Sequence, residues 1–338
     1  HHSVIKSKSF CKNIFANALG WASGNLPEAL MKHVFIVNPV AGAKDAGKSM
    51  VPLIRAAAEQ CGVAYQIEVT NAPGHARKLA LQYAGGEEAI RLYAVGGDGT
   101  LNEVFAGSFS FPNAEVPSVP VGSGNDFIRS FGSKRDFLDL PRQIAGDAEA
   151  IDLMQVDGGV CVAITSTGLD ADVAYNIPKY RRVPLLGGSM AYNLSVLERT
   201  LKHLGQLLRI TLDGQVLEVE YLIATACNGQ TYGGGWLAAP MAKLDDGILD
   251  VILVKKISRL RVAQIIGKYK KGRHFQNGKI AADFADIMEY YTAKEVIMQP
   301  LQKDSFILNV DGECAPAPRL YAKVLPMAGR FVLPKGLR

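Results

Sequence analysis

The sequence predicts an α/β protein of two domains, a mostly parallel sheet flanked by helices and then a mainly antiparallel β domain. Three observations predict it. A chain of 338 residues is long for one compact core, and the length prior gives about two domains. From Met31 to near Ala150, short apolar runs alternate with stretches of helical composition, as in strands joined by crossover helices. Beyond Ala150 the apolar runs are joined by Asp-Gly turns, which is a hairpin signal.

The elements follow in order. His33–Pro39 is an apolar run stopped by Asn-Pro, hence a buried strand entering a loop. Gly47–Gln60 reads as a helix closed by Cys61-Gly62. Ala64–Thr70 alternates like a strand, and Gly74–Ala84 reads as a helix stopped by two glycines. Arg91–Gly97 is a buried strand and Thr100–Gly107 a short helix. Val116–Gly124 is a strand ending in a glycine loop, and a helix starts over Asn125–Phe131. Ile151–Thr165 and Leu207–Cys227 each hold two strands around an Asp-Gly turn. Gly247–Lys256 and Ser305–Glu313 are further strands, and helices are expected over Met190–Leu204 and Arg259–Tyr269. The expected division is an upstream extension or tag remnant over 1–30, then domains over 31–150 and 151–315 and a C-terminal segment over 316–338. The natural start is expected at or near Met31, directly before the first strand.

Composition excludes several classes. With 48% apolar and 20% charged residues, the chain has material for a large core and is not mainly disordered. Its five cysteines are far apart without a CxxC pair, which argues against a disulfide framework or zinc site and fits a reducing compartment. A net charge of +5 is too mild to indicate a nucleic-acid partner. No run of 18 apolar residues exists that could span a bilayer as a helix.

Candidate chemistry concentrates in three loops at the ends of successive strands: Asn38–Gly42 (NPVAG), Gly96–Glu103 (GGDGTLNE) and Gly122–Phe127 (GSGNDF). In a parallel α/β sheet such ends line one edge, where ligands bind. Glycines let the backbone approach a phosphate, and the following helix N-termini favour anions. Thr100 and Asn125 are placed to donate hydrogen bonds and to cap those helices. Asp98 and Asp126 would repel a triphosphate unless a cation lay between, so two aspartates in such loops imply Mg²⁺. Gly42–Ser49 (GAKDAGKS) also matches the phosphate-loop pattern, with Lys48 and Ser49 in the phosphate and metal roles. No strand ending in an acidic residue follows it in the manner of that motif's partner, and a turn plus helix start is the preferred reading.

GGDGT resembles the motif shared by diacylglycerol, sphingosine and NAD kinases and phosphofructokinases. Together with NPVAG, LNE, GSGNDF, Gly233–Val251 (GGGWLAAPMAKLDDGILDV) and NVDGE, it resembles the diacylglycerol kinase catalytic family of bacterial lipid kinases. The resemblance runs from Met31 to the C-terminus. It implies an α/β nucleotide-binding domain, NAD kinase- or phosphofructokinase-like, and a β-sandwich-like second domain, with the last segment returning to the first. It implies ATP as phosphoryl donor, Mg²⁺, a lipid substrate, and action from the cytoplasm at the inner face of the membrane. By motif, Asn38, Pro39, Gly42, Thr70, Gly96, Gly97, Gly99, Thr100, Leu101, Asn102, Glu103, Ser123 and Asn125 take nucleotide-contact roles. Asp246 matches a Mg²⁺-linked aspartate, flanked by the main-chain carbonyls of Lys243 and Ile248. Glu313 matches the proton acceptor, with Asp98 the competing candidate for that role; Asp98 and Asp126 match acidic positions tied to metal or catalysis, and Asp152 joins a charge network. GSGNDF departs from the threonine-rich form common among bacterial members.

A lipid enzyme without a membrane-spanning helix must dock at the surface. Lys255–His274 carries eight Lys and Arg residues and no acid, with Leu260, Ala263, Ile266 and Tyr269 spaced to share a helical face. A basic amphipathic helix suits an anionic membrane. Equally it suits a core-packed helix with a solvated basic face. Arg181–Gly188 is a lesser candidate contact. Two other functions compete with a lipid kinase: a kinase of a small soluble polyol or nucleotide, and a nucleotide- or lipid-binding regulator without turnover.

Overall fold

The computed structural model describes residues 31–42, 45–181 and 205–338. Residues 1–30, Ala43 and Lys44 of the phosphate-loop match, all of the Arg181–Gly188 run after Arg181, and the helix expected over Met190–Leu204 lie outside the described residues.

The first domain opens with β1 (Lys32–Val37), α1 (Ala46–Cys61), β2 (Tyr65–Val69) and α2 (His75–Ala84). It continues with β3 (Ile90–Gly96), α3 (Asp98–Ser108) and β4 (Ala114–Pro120), then the short helices α4 (Lys134–Phe137) and α5 (Leu140–Ile144). The four strands are parallel in the order β4-β3-β1-β2. β3 and β4 are buried at every position, which explains why they read as continuous apolar runs rather than alternations. α1 ends where the sequence places its stop: Gly62 adopts φ +67°, and its N–H bonds the carbonyls of Ala58 and Glu59.

Two boundaries differ from expectation. α3 begins at Asp98, so Thr100 sits inside the helix; the N-cap is Gly97 and no side chain caps it. After β4 only a 3₁₀ turn forms, Phe127–Ser130. Asn125 takes φ +53° there and spends its amide on the Gly122 carbonyl, so it caps nothing.

The second domain is built from hairpins. β5 (Asp147–Val156) and β6 (Gly159–Cys161) pair antiparallel, followed by β7 (Ile164–Gly168) and α6 (Leu169–Arg181). β8 (Gln206–Leu212) and β9 (Gln215–Cys227) form the hairpin over Asp213-Gly214, both with positive φ. Then come β10 (Thr231–Tyr232), β11 (Trp236–Leu237), β12 (Leu249–Lys255), α7 (Arg259–Lys270), β13 (Phe275–Gln276), β14 (Lys279–Ile280), β15 (Met288–Ala293) and β16 (Glu295–Pro300). β17 (Phe306–Val310) turns through Asp311-Gly312 into β18 (Glu313–Ala317), and β19 (Leu320–Leu333) is the last strand.

β19 joins the two domains. It pairs antiparallel with β5 and β16, and its Phe331 and Val332 pair in parallel with β4. Phe331 is fully buried among Phe105, Phe127, Phe131 and Phe137, with ring centroids 5.0–6.4 Å away. A buried ion-pair chain crosses the same junction: Arg91 donates to Glu115 Oε2 at 2.8 Å, and Arg330 donates to Glu115 Oε1 at 2.9 Å.

Candidate active site

Because β1, β2, β3 and β4 are parallel, their C-terminal ends open on one edge. A cavity of about 1490 Å³ lies there, bounded on the other side by the second domain. Of the residues that the sequence singles out, Asn38, Pro39, Gly42, Thr70, Gly97–Glu103, Ser123, Asp126 and Glu313 line it. Gly96 and Asn125 stand behind the lining.

The loops are held by close backbone approach. A Cβ on Gly122 would come 2.5 Å from Gly97 Cα, so the second and third loops touch through glycine alone. A Cβ on Gly96 would collide with the Thr100 hydroxyl, which instead accepts a hydrogen bond from Asn38 Nδ2 at 3.1 Å. Asn38 thereby ties the first loop to the second, and its Oδ1 accepts the Val40 N–H. Several of these lining residues also serve as supports. Leu101 is buried in the core. Glu103 accepts the N–H groups of Gly74 and Ala76, capping α2, whose own N-cap is a glycine. Asn102 donates to Val160 O and to Asp311 Oδ2, both at 2.8 Å.

Asp98 Oδ1 accepts the N–H groups of Asp126 (2.7 Å) and Phe127 (3.2 Å). Burial first, and then the neighbouring Asp126 charge, push its carboxyl up to about 6. Asp126 fastens the third loop to the second domain: Oδ2 accepts the Gly234 N–H at 2.7 Å, and its main-chain carbonyl accepts from Thr231. Arg129 Nε lies 3.2 Å from Asp126 Oδ1 without hydrogen-bond geometry.

Glu313 reaches the cleft on the β17–β18 turn. Its Oε1 lies 3.2 Å from where a Cβ on Gly99 would stand, at the N-terminus of α3. The turn is pinned by Asp311, whose carboxylate accepts from Val162 N, Ala163 N, Ile164 N, Asn102 Nδ2 and the Cys161 thiol. Sequence reasoning assigns Asp311 no role; the signal available was an aspartate at a left-handed turn position, here φ +48°.

The Lys243–Ile248 turn is elsewhere. None of Lys243, Asp246 and Ile248 lines the cavity. Asp246 is exposed, and its Oδ1 accepts the Ile248 N–H at 3.3 Å. Asp152 is fully buried and anchors this turn and the β19 bulge by accepting from Gly247 N and Met327 N. Asp246 thus stands outside the cavity that Asp98 and Asp126 line. Lys48 points to solvent beside Asp45, which caps α1, and neither it nor Ser49 lines the cleft.

Away from the loops the cavity turns apolar, walled by Leu222, Ile223, Val254, Val262, Ile265 and Phe284. The inner face of α7 is Val262, Ile265 and Tyr269; Leu260 is 71% exposed and Ala263 is also exposed, so the expected face is rotated. Val262 sits one turn before Ile265 and Ile266 and seven residues before Tyr269, a spacing that selects this stripe. No lining residue among those described is Lys, Arg or His, whereas six are Asp or Glu. No group of three metal-ligating side chains occurs among the described residues.

The comparisons agree with this architecture. Residues 32–156 match the diacylglycerol kinase catalytic domain model, and residues 163–333 match the YegS C-terminal NAD kinase beta sandwich-like domain model. A diacylglycerol kinase of Bacillus subtilis is 28% identical over 300 residues, covering 88% of this chain and 91% of that protein. A YegS-like lipid kinase of Shewanella frigidimarina is 29% identical over 256 residues, covering 72% and 76%. The crystal structure of a diacylglycerol kinase from Bacillus anthracis superposes with a TM-score of 0.63 at 21% identity, covering 91% and 98%, which shows the shared fold. With both of its domains matched in this way, the chain belongs to the diacylglycerol kinase family of lipid kinases.

Proposed function

We propose that the protein transfers the γ-phosphoryl group of ATP, bound as its Mg²⁺ complex, to the hydroxyl of a membrane lipid at the bilayer surface. The observation that carries this reading is the meeting of Glu313, from the second domain, with Gly99 in the glycine loop of the first. A general base then stands beside a phosphate cradle, at the mouth of an apolar chamber.

Phosphoryl transfer asks chiefly for positioning and charge neutralisation. The glycine loops and the N-terminus of α3 supply N–H groups and room for the phosphates. Glu313 takes the proton of the lipid hydroxyl as its oxygen attacks. A cleft lined by six carboxylates and, among described residues, no cation cannot hold a triphosphate unaided. Asp98 and Asp126 fit a Mg²⁺ ion that arrives with the nucleotide, since Mg²⁺ takes one or two carboxylates alongside phosphate oxygens. When bound it would neutralise phosphate charge. Lys243, Asp246 and Ile248 offer oxygens of the kind a second, structural cation takes, outside the cleft.

The apolar wall supports a lipid over a small soluble polyol, which would leave that surface wet. Docking is supported by the outer face of α7. Leu260 is exposed beside Arg259, with Lys256, Lys271 and Arg273 also exposed, an arrangement suited to an anionic leaflet from the cytoplasmic side. The test supplies γ-labelled ATP and Mg²⁺ to the purified protein with a total lipid extract in mixed micelles. Label entering the lipid phase supports the reading; label passing only to water or to a soluble acceptor contradicts it.

A further inference from the structure

Within the apolar half of the cleft stands a carboxylate that phosphoryl transfer does not use. Asp170 lies in the first turn of α6, lines the cavity, and has both oxygens shielded from solvent without a hydrogen bond of good geometry. It is the only carboxylate among the described residues in that condition. Burial pushes it up to about 6, although the hydroxyls of Ser166 and Tyr232 and the Ala171 amide lie close enough to favour the ionised form. The hydroxyl of Tyr269, on α7 and also lining the cavity, is likewise buried without a hydrogen bond of good geometry, with the Tyr232 hydroxyl close by. Two orphan polar groups in one apolar chamber are costly unless a ligand completes them.

Their place relative to the chemistry is fixed by the sheet. Ser166 on β7 pairs with Asn309 on β17, and Cys314, next to Glu313, pairs with Asn309 from the other side. The Cys314 thiol is pushed up to about 12 by burial and then by the charges of Asp170 and Glu313. Asp170 and Glu313 thus line one cavity, on elements that the β7–β17–β18 pairing brings together.

We propose that Asp170 and the Tyr269 hydroxyl form a second polar subsite, which takes a hydrogen bond from a hydroxyl or amine that the lipid carries beside its reacting hydroxyl. The preferred substrate is then a two-donor lipid, a monoacylglycerol or a sphingoid base, over diacylglycerol, whose single hydroxyl is consumed by the reaction. This rests on the lipid-kinase reading and narrows it. A site built around a buried acceptor discriminates strongly against a ligand lacking the matching donor.

The experiment compares kcat/KM for a monoacylglycerol, a sphingoid base and a diacylglycerol in mixed micelles, for the parent and Asp170→Asn. One of the two-donor lipids is expected to exceed diacylglycerol by about tenfold or more, and Asp170→Asn to reduce that ratio by about tenfold, as loss of a charge-assisted bond predicts. Which donor lipid leads separates the hydroxyl from the amine. The melting temperature of Asp170→Asn is expected to equal or exceed that of the parent, because a buried unpaired charge is removed. A parent that turns over diacylglycerol as well as either donor lipid, or a ratio untouched by the substitution, overturns the subsite while leaving the lipid kinase standing. Phosphorylation of no lipid at all removes both.

Discussion

Asp98 shows how one residue couples folding to function. Its carboxyl is held at about 6 in the folded protein against an ordinary 3.8. The folded state therefore keeps the proton that the unfolded chain releases, and stability from this group is lost as pH rises from about 4 through 6. At neutral pH the ionised carboxylate is a local cost that a bound cation would relieve. Asp98→Asn should therefore be more stable than the parent at pH 7.5, by up to about 3 kcal/mol, with the gain vanishing near pH 4. Urea unfolding at the two pH values checks this, and an equal gain at both would contradict it. The same substitution should abolish turnover. Asp98 was visible in the sequence because two carboxylates in glycine loops demand an explanation. Asp170 was not, because a single Asp after a buried strand carries no signal until its surroundings are known to be apolar.

At the scale of elements, the β17–β18 hairpin positions the reaction. Five donors converge on Asp311, four of them on or beside β6 and β7 and one, Asn102, from α3 of the other domain. Asn102→Ala removes the cross-domain bond and leaves Val160 O without it, at a cost of about 1–3 kcal/mol. Thermal unfolding should show that loss, and kcat should fall with it because Glu313 rides on the same turn; unchanged kcat would detach the turn from catalysis. The strands were legible because buried parallel strands are unbroken apolar runs and the hairpins advertise Asp-Gly. The supporting roles of Asn102, Glu103 and Asp311 were not, since their partners lie 27 to 209 residues away. The start of α3 was misplaced because nothing in Gly97-Asp98-Gly99 resembles a capping side chain. The inner face of α7 was misjudged because a small Ala263 fits an apolar stripe by spacing yet points to solvent.

Across the whole molecule, β19 makes the two domains one folding unit. Its end supplies Phe331 to the core of the first domain and Arg330 to the buried Glu115. Phe331→Ala should cost about 3–5 kcal/mol, as for other large-to-small changes in an aromatic core. Both domains should then lose stability in a single transition, and a separate early melting of the first domain would contradict that coupling. The arrangement keeps the glycine loops and the Asp311 hairpin in fixed relation, which a base working across a cleft requires. The most direct test is Glu313→Gln, followed by nucleotide affinity from calorimetry and kcat from labelled-lipid formation. Affinity for MgATP should be unchanged while kcat falls about 10²–10⁴-fold, the range of a lost general base. Turnover equal to the parent's would contradict a base at Glu313, and with it the cleft chemistry proposed for this protein.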